Sequence, residues 1–301
     1  MENNIEKSCV EFSTSQMLKW MEYVADMQGV TPEKIKLLNT CGKRRNVLAT
    51  IATHKRILIF ADETHPNMLY KCWEAGYGDY EMYFGKGYEP GEMKHCKVSD
   101  MMDDELSGPT VIFIVNENTR ESMIFGIKNE NFSSGTVKYV GHEIRSVIMN
   151  KLELDVSDTA LIVSGESIVI EASMVAYEGV IIAAERDAGS LRSMEENVSK
   201  FGVHNVEIVS DLKVETLEKL PVPRIAFIVA TKQDIESDIV NLLKINPNIK
   251  IIVYTLELDI LADIKYLMKK HGVNVTEVMQ ISVSKTDKNS IFVAQPSPWM
   301  I

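Results

Sequence analysis

"VIIAAERDAGSLRSMEENVSKFGVHNVEIVSD", residues 180–211, is the stretch on which the fold turns. An apolar strand runs to Ala184, Glu185 follows at its carboxyl end, and Asp187 stands where a helix would be capped. Leu191, Met194, Val198 and Phe201 recur at helical spacing and predict a buried stripe, and Gly202 predicts its stop. A second strand fits 205–209. Strand, helix and strand within about thirty residues make one unit of a parallel sheet. An acid at the end of the second strand of such a sheet commonly accepts hydrogen bonds from ribose hydroxyls. The plain alternative is a solvated Glu185 beside Arg186.

Upstream, "LIVSGESIVIEA" (161–172) reads as a buried strand, a very short turn and a helix start. Nucleotide-type cofactors sit on glycine-rich turns of this kind. Here the turn holds one glycine, Gly165, and almost no length. Further strands fit 159–164, 180–184, 224–229 and 249–254, with helices between them. Two more at 274–283 and 290–294 flank "TDKN" and predict a final hairpin, for a seven-strand mixed sheet in all. The first half also alternates. "SQMLKWMEYVADM" (15–27) places Met17, Met21, Val24 and Met27 on one helical face. "KIKLL", "RILIF" and "VIFIV" read as strands. "PNMLYKCWEAGYG" (66–78) reads as a helix with Pro66 in its first turn and Gly76 at its stop. The polar stretch 116–140 is the best linker candidate.

The chain has 301 residues, 45% hydrophobic and 25% charged, enough for two globular domains. A net charge of -11 argues against nucleic acid and against anionic membranes. No apolar run approaches a membrane span of roughly 18 residues, and the polar, acidic start does not resemble a secretion signal. Cys9, Cys41, Cys72 and Cys96 are scattered without a CxxC pair. They predict reduced thiols, no metal centre and a cytoplasmic location.

Several separated motifs, occurring in order, resemble one family. "ERDAGSLRSMEENVSKFGVHNVEIVSD" is similar to the S-adenosylmethionine-binding region of the decarboxylating precorrin-6Y C5,15-methyltransferases of cobalamin biosynthesis. "HEIRSVIMNKLEL" (142–154) resembles their opening helix, and "VYTLELDILADIKYL" (253–267) a later strand and helix. "ISVSK" (281–285) and "SIFVAQPSPWMI" (290–301) resemble the terminal hairpin. In the first half, "STSQMLKWMEYVADMQGVTPEKIKLLNTCGKRRN" and "GYGDYEMYFGKGYEPGEMKHCKVSDM" resemble only the second subdomain of that family's fused tetrapyrrole methylase domain. The resemblance implies a partial tetrapyrrole methylase domain over 1–137, without its own cofactor site. It implies an α/β, Rossmann-like, seven-strand methyltransferase domain over 138–301.

It also implies S-adenosylmethionine as cofactor, a tetrapyrrole substrate and a homo-oligomer formed largely by the second domain. The end of the chain supports the last point, because Trp299, Met300 and Ile301 look exposed and apolar. Glu185 matches the ribose-binding acid, and Asp211 an acid near adenine, with a turn-capping carboxylate as the alternative. His142 and Arg145 match the opening helix and are candidates for substrate carboxylates, though such residues are commonly surface groups. Thr255 and Glu257 match a site-facing strand end, where Glu257 could instead cap the next helix. No catalytic residue is assigned. The departure lies in the turn. Ile162 stands where the family has an aspartate, Ser164 and Glu166 stand near glycine positions, and about two residues are missing. "FIVATKQD" (227–234) replaces a glycine pair, and Gly141 replaces a lysine. Glycines permit sharp turns and close backbone approach, so Ser164, Gly165 and Glu166 predict weak or lost cofactor binding. The expectation is therefore a C5,15-methyltransferase-like protein with an impaired cofactor site. The alternative is a catalytically lapsed paralogue acting as a ligand-binding or oligomeric module.

Overall fold

The computed structural model describes residues 11–42, 47–119, 126–133, 140–230, 234–286, 291–294 and 296–301. The chain divides into two compact units, Met1–Ser122 and Met123–Ile301. The division precedes the 137/138 boundary expected from the sequence. Ile127 and Phe132, inside the expected linker, are buried with Ile170, Met174 and Val203 of the second unit.

The first unit comprises α1 (Thr14–Gln28), β1 (Lys36–Asn39), α2 (Val47–Thr53), β2 (Arg56–Ala61), α3 (Met68–Cys72), β3 (Glu81–Lys86), β4 (Lys94–Lys97) and β5 (Thr110–Val115). Ser13 and Gln16 form a capping box on α1, and Gly29 closes it in the left-handed conformation. Past α3 the chain makes one wide turn, Trp73–Tyr77, in which Gly76 has φ 86°. The sheet order is β1-β2-β5-β3-β4. Among the described residues only β1 and β2 pair in parallel. Alternation along β2 buries both faces. Leu58 and Phe60 pack with Trp20 of α1, and Ile57 and Ile59 with Ile51 and Leu69. Cys41 and Cys72 are buried and Cys96 is half-buried; Cys9 lies outside the described residues. Burial pushes the Cys72 thiol up to about 12, so it is inert.

The second unit opens with α4 (His142–Leu152) and then alternates: β6 (Thr159–Val163), α5 (Glu166–Val175), β7 (Val180–Ala184), α6 (Ala188–Phe201), β8 (Val206–Val209), α7 (Val214–Leu217), β9 (Ile225–Val229), α8 (Ile235–Ile245), β10 (Lys250–Thr255) and α9 (Leu258–Lys270). It closes with β11 (Met279–Gln280), β12 (Ser284–Thr286), β13 (Phe292–Ala294) and β14 (Trp299–Met300). The main sheet has seven strands in the order β11-β14-β10-β9-β6-β7-β8. β6 to β10 are parallel and β14 runs antiparallel between β10 and β11. Ile162, Ala183 and Phe227 feed one core layer, and Leu161, Val163, Ile182 and Ile228 the other. Apolar residues on both faces of a strand are what a covered parallel sheet requires.

Three expectations change. Of the hairpin expected over 274–294, β11 does join the main sheet, at its edge. Among the described residues β12 and β13 pair with each other instead, and β14, beyond Pro296 and Pro298, takes the place between β11 and β10. Most of the "TDKN" turn lies outside the described residues. The last residues therefore join the sheet, with Trp299 and Ile301 half-buried. Met300 is buried in the core, and Ile301 exchanges backbone hydrogen bonds with Val253. An apolar tail adjoining a strand edge satisfies both its side chains and its peptide groups by joining the sheet. The deepest line of α6 is Ser190, Ser193, Met194 and Asn197, while Leu191, Val198 and Phe201 are half-buried. The cause is the segment 126–133. Phe132 packs against Phe201 with ring centroids 5.0 Å apart and the rings tilted by 40°, and the Asn197 amide both accepts from the Ser133 N–H (2.8 Å) and donates to its carbonyl (3.1 Å). No described helix is long and apolar enough to cross a membrane.

Candidate functional site

The parallel strands β6, β7, β8 and β10 end at one edge of the sheet, and most of the singled-out residues lie there. In open α/β sheets this carboxyl edge is where ligands bind.

After β6, Ser164 has φ 53°, a left-handed conformation uncommon for a side-chain-bearing residue. Its N–H donates to the Ala184 carbonyl at 3.0 Å, which ties the turn to the end of β7. Gly165 follows as the N-cap of α5, with no side-chain cap. A Cβ there would lie 2.7 Å from the Ile162 Cγ2, so only glycine fits without repacking. Ile162 itself is fully buried against Ile168 and Val169. Glu166 begins α5, every residue of which is buried.

After β7, Glu185 is 2% exposed. Its Oε1 accepts from the N–H groups of Arg186 (2.8 Å) and Asp187 (2.9 Å). Its Oε2 is buried without a hydrogen-bond partner. A buried carboxylate oxygen lacking a donor costs about 1–3 kcal/mol or more, and a ligand hydroxyl would relieve that cost. Asp187 caps α6 by accepting from the Ser190 N–H at 2.8 Å. Arg186 donates to both oxygens of Asp238, at 3.2 and 2.6 Å, and lies 3.6 Å from Asp234.

The other candidates have local duties. Asp211 accepts from the Lys213 N–H (3.0 Å) and the Thr216 hydroxyl (2.8 Å). These bonds hold its carboxyl below the usual range and make it a turn cap. Thr255 is buried at the end of β10, its Oγ1 accepting from the Glu257 N–H at 3.1 Å. Glu257 is the N-cap of α9 by position, without a side-chain bond. The ring Nε2 of His142 lies 2.9 Å from Glu143 Oε1, and Lys285 pairs with the same oxygen.

Arg145 is fully buried. Its Nε donates to Glu171 Oε1 at 2.6 Å, its Nη1 to Asn129 Oδ1 and the Val140 carbonyl, and its Nη2 to the Ile127 carbonyl. Its guanidinium lies 5.0 Å from the Phe132 ring centroid. Every one of these partners is internal, so Arg145 staples Ile127, Asn129 and Val140 to α5 instead of facing the edge. The structure thus brings the β6 turn and Glu185 together and leaves Arg145 apart. The Arg186–Asp238 and Arg145–Glu171 pairs had no signal in the sequence, because partners 52 and 26 positions apart share no local pattern. No group of three or more potential metal ligands occurs among the described residues.

Comparison with known proteins agrees with this layout. Residues 140–294 match the family model described as precorrin methyltransferase domain. A precorrin-6Y C5,15-methyltransferase from Geobacter metallireducens is 26% identical, with a TM-score of 0.54 over 60% of this chain and 97% of that one. The precorrin 8w decarboxylase of Methanobacterium thermoautotrophicum is 18% identical, with a TM-score of 0.51 over 58% of this chain and 97% of that one. The C-terminal domain of a precorrin-6Y C5,15-methyltransferase from Rhodobacter capsulatus is 16% identical, with a TM-score of 0.50 over 60% and 97%. The last two likenesses concern the fold alone. No curated protein matches the chain. A parallel sheet with an acid at the end of its second strand, and a family model covering just over half of the chain, lead to one conclusion: the chain belongs to the precorrin methyltransferase domain family.

Proposed function

We propose that the second unit carries S-adenosylmethionine-dependent methyl transfer to a precorrin-type tetrapyrrole, as in the C5,15-methylating, decarboxylating step of cobalamin biosynthesis. The observation that carries this reading is Glu185, whose buried Oε2 has no hydrogen-bond partner at the end of β7. A ribose hydroxyl is a donor of the right kind there. S-adenosylmethionine, when bound, supplies an electrophilic methyl group. The chain's own contribution is placement of donor and carbon nucleophile, which needs no general base. Glu185 would hold the ribose, and the Ser164–Gly165 backbone would approach the amino-acid end.

The β6 turn supports a weakened site. Ser164 is held in a left-handed conformation, and Glu166 brings a buried carboxylate to the start of α5. Two or three lost loop hydrogen bonds at about 1 kcal/mol each correspond to roughly hundredfold weaker binding. This observation also favours the second reading, a lapsed paralogue that binds a tetrapyrrole-like ligand without turnover. Calorimetric titration with S-adenosylmethionine and S-adenosylhomocysteine separates them. Weak binding that Glu185→Gln abolishes supports the proposal. A dissociation constant in the low micromolar range refutes the weakened site, and no binding at millimolar ligand refutes the cofactor.

The proposal extends to a homo-oligomer and to a partial tetrapyrrole methylase subdomain in the first unit. Self-association is supported by β12 and β13, which stand as a two-stranded sheet, with Phe292 76% and Ile291 60% exposed. Such a hairpin is marginal alone and offers free strand edges. Light scattering that returns about 34 kDa at micromolar concentration would contradict it.

A further inference from the structure

Arg186 and Asp238 are not explained by hydroxyl binding at Glu185. Arg186 lies two residues beyond β7, and Asp238 in the first turn of α8, which follows β9. In the sheet, β6 lies between those two strands. Neighbouring strands are about 4.8 Å apart, so the pair reaches across the width of one intervening strand. Two contacts, Nη2 to Oδ1 at 2.6 Å and Nη1 to Oδ2 at 3.2 Å, make a bidentate pair that fixes the guanidinium on the Asp238 carboxylate. The Asp238 side chain is buried, whereas that of Arg186 remains 34% exposed. Asp234 lies 3.6 Å from the guanidinium, and the Glu185 carboxylate also favours its charge. The N–H of the same Arg186 fixes Glu185 Oε1. One residue therefore anchors the carboxylate and presents a flat, immobilised cation next to it.

We infer that the Arg186 guanidinium, held flat by Asp238, is the platform on which the planar base of a nucleoside ligand stacks when its ribose meets Glu185. Arginine suits the task because its planar, weakly hydrated cation stacks on aromatic rings. A lysine would keep the charge and lose the plane. Asp238 touches no ligand in this arrangement and is a positioning residue. The inference rests on the cofactor reading above for the identity of the ligand as an adenosyl compound.

The test compares S-adenosylhomocysteine with S-ribosylhomocysteine, which has the same sugar and amino acid but no base. Binding is measured calorimetrically on the full chain, alongside thermal melts. The wild type is expected to bind the adenosyl compound about tenfold more tightly than the base-free one. Arg186→Lys and Asp238→Asn are each expected to remove most of that ratio. They should leave affinity for S-ribosylhomocysteine and the melting temperature nearly unchanged. A merely structural pair would weaken both ligands together or lower the melting temperature, and either result overturns the platform. Equal affinities in the wild type also overturn it. If both ligands bind and Glu185→Gln abolishes both while Arg186→Lys changes neither, the platform fails and the cofactor reading stands. If neither ligand binds the wild type, both fail.

Discussion

The turns after β6 and β7 are neighbours, joined by the hydrogen bond from Ser164 N–H to the Ala184 carbonyl, and they are built on opposite terms. The β7 turn is closed by side chains. Glu185 accepts two backbone N–H groups, Asp187 caps α6, and one carboxylate oxygen is left over. The β6 turn is closed by backbone and packing. Ser164 is left-handed, Gly165 caps α5 without a side chain, and Ile162 fills the space beneath. The first arrangement leaves one carboxylate oxygen without a partner, while the second buries Ile162 and Glu166 and leaves Ser164 half-buried. The two ends of a nucleoside–amino-acid cofactor therefore need not weaken together.

The largest expected effect removes the buried staple on α5, the helix that starts at the β6 turn. Arg145→Met leaves Glu171 as an unpaired charge in the interior, and should cost about 3–5 kcal/mol in chemical denaturation. A loss below about 1 kcal/mol would mean that the staple is dispensable. Glu185→Ala acts on the β7 side alone. It should weaken adenosyl-ligand binding by the equivalent of about 1.5–3 kcal/mol while leaving stability near the wild type. Equal loss of binding and stability would make Glu185 a structural residue. Gly165→Ala acts on the β6 side. Its Cβ would meet Ile162, so a cost of about 1–3 kcal/mol is expected, and an unchanged melt would show that the turn relaxes freely. The smallest effect sharpens the contrast. Ser164→Gly relieves a left-handed strain of roughly 1 kcal/mol against a smaller glycine entropy cost. It should raise stability slightly and adenosyl-ligand affinity measurably. Lower affinity would show that the Ser164 side chain itself holds the ligand.

Legibility differed along the chain for physical reasons. β6, β7, β9 and β10 were readable because a strand covered on both faces is a continuous apolar run bounded by turns. β4, Lys94–Lys97, was not, since an edge strand can carry lysines, here two of its four residues. The helix at 188–201 was readable in extent, from Asp187 to Gly202, but not in facing. Its predicted stripe included Val198 and Phe201, which meet the segment 126–133, while Asn197 turned inward to hold Ser133.

By itself, the sequence determined the alternation of elements, the seven-strand class of the second unit, the acid at the end of β7 and the short, altered turn after β6. All of these are local: periodicity, capping residues and spacing along the backbone. Only the tertiary structure decided that Arg145 is buried against Glu171, that Arg186 is held by Asp238 and that the last residues complete the main sheet. Charge pairing and strand insertion depend on which surfaces meet in space. A buried charge must find its partner wherever the fold brings one, and the order of residues along the chain does not encode that distance.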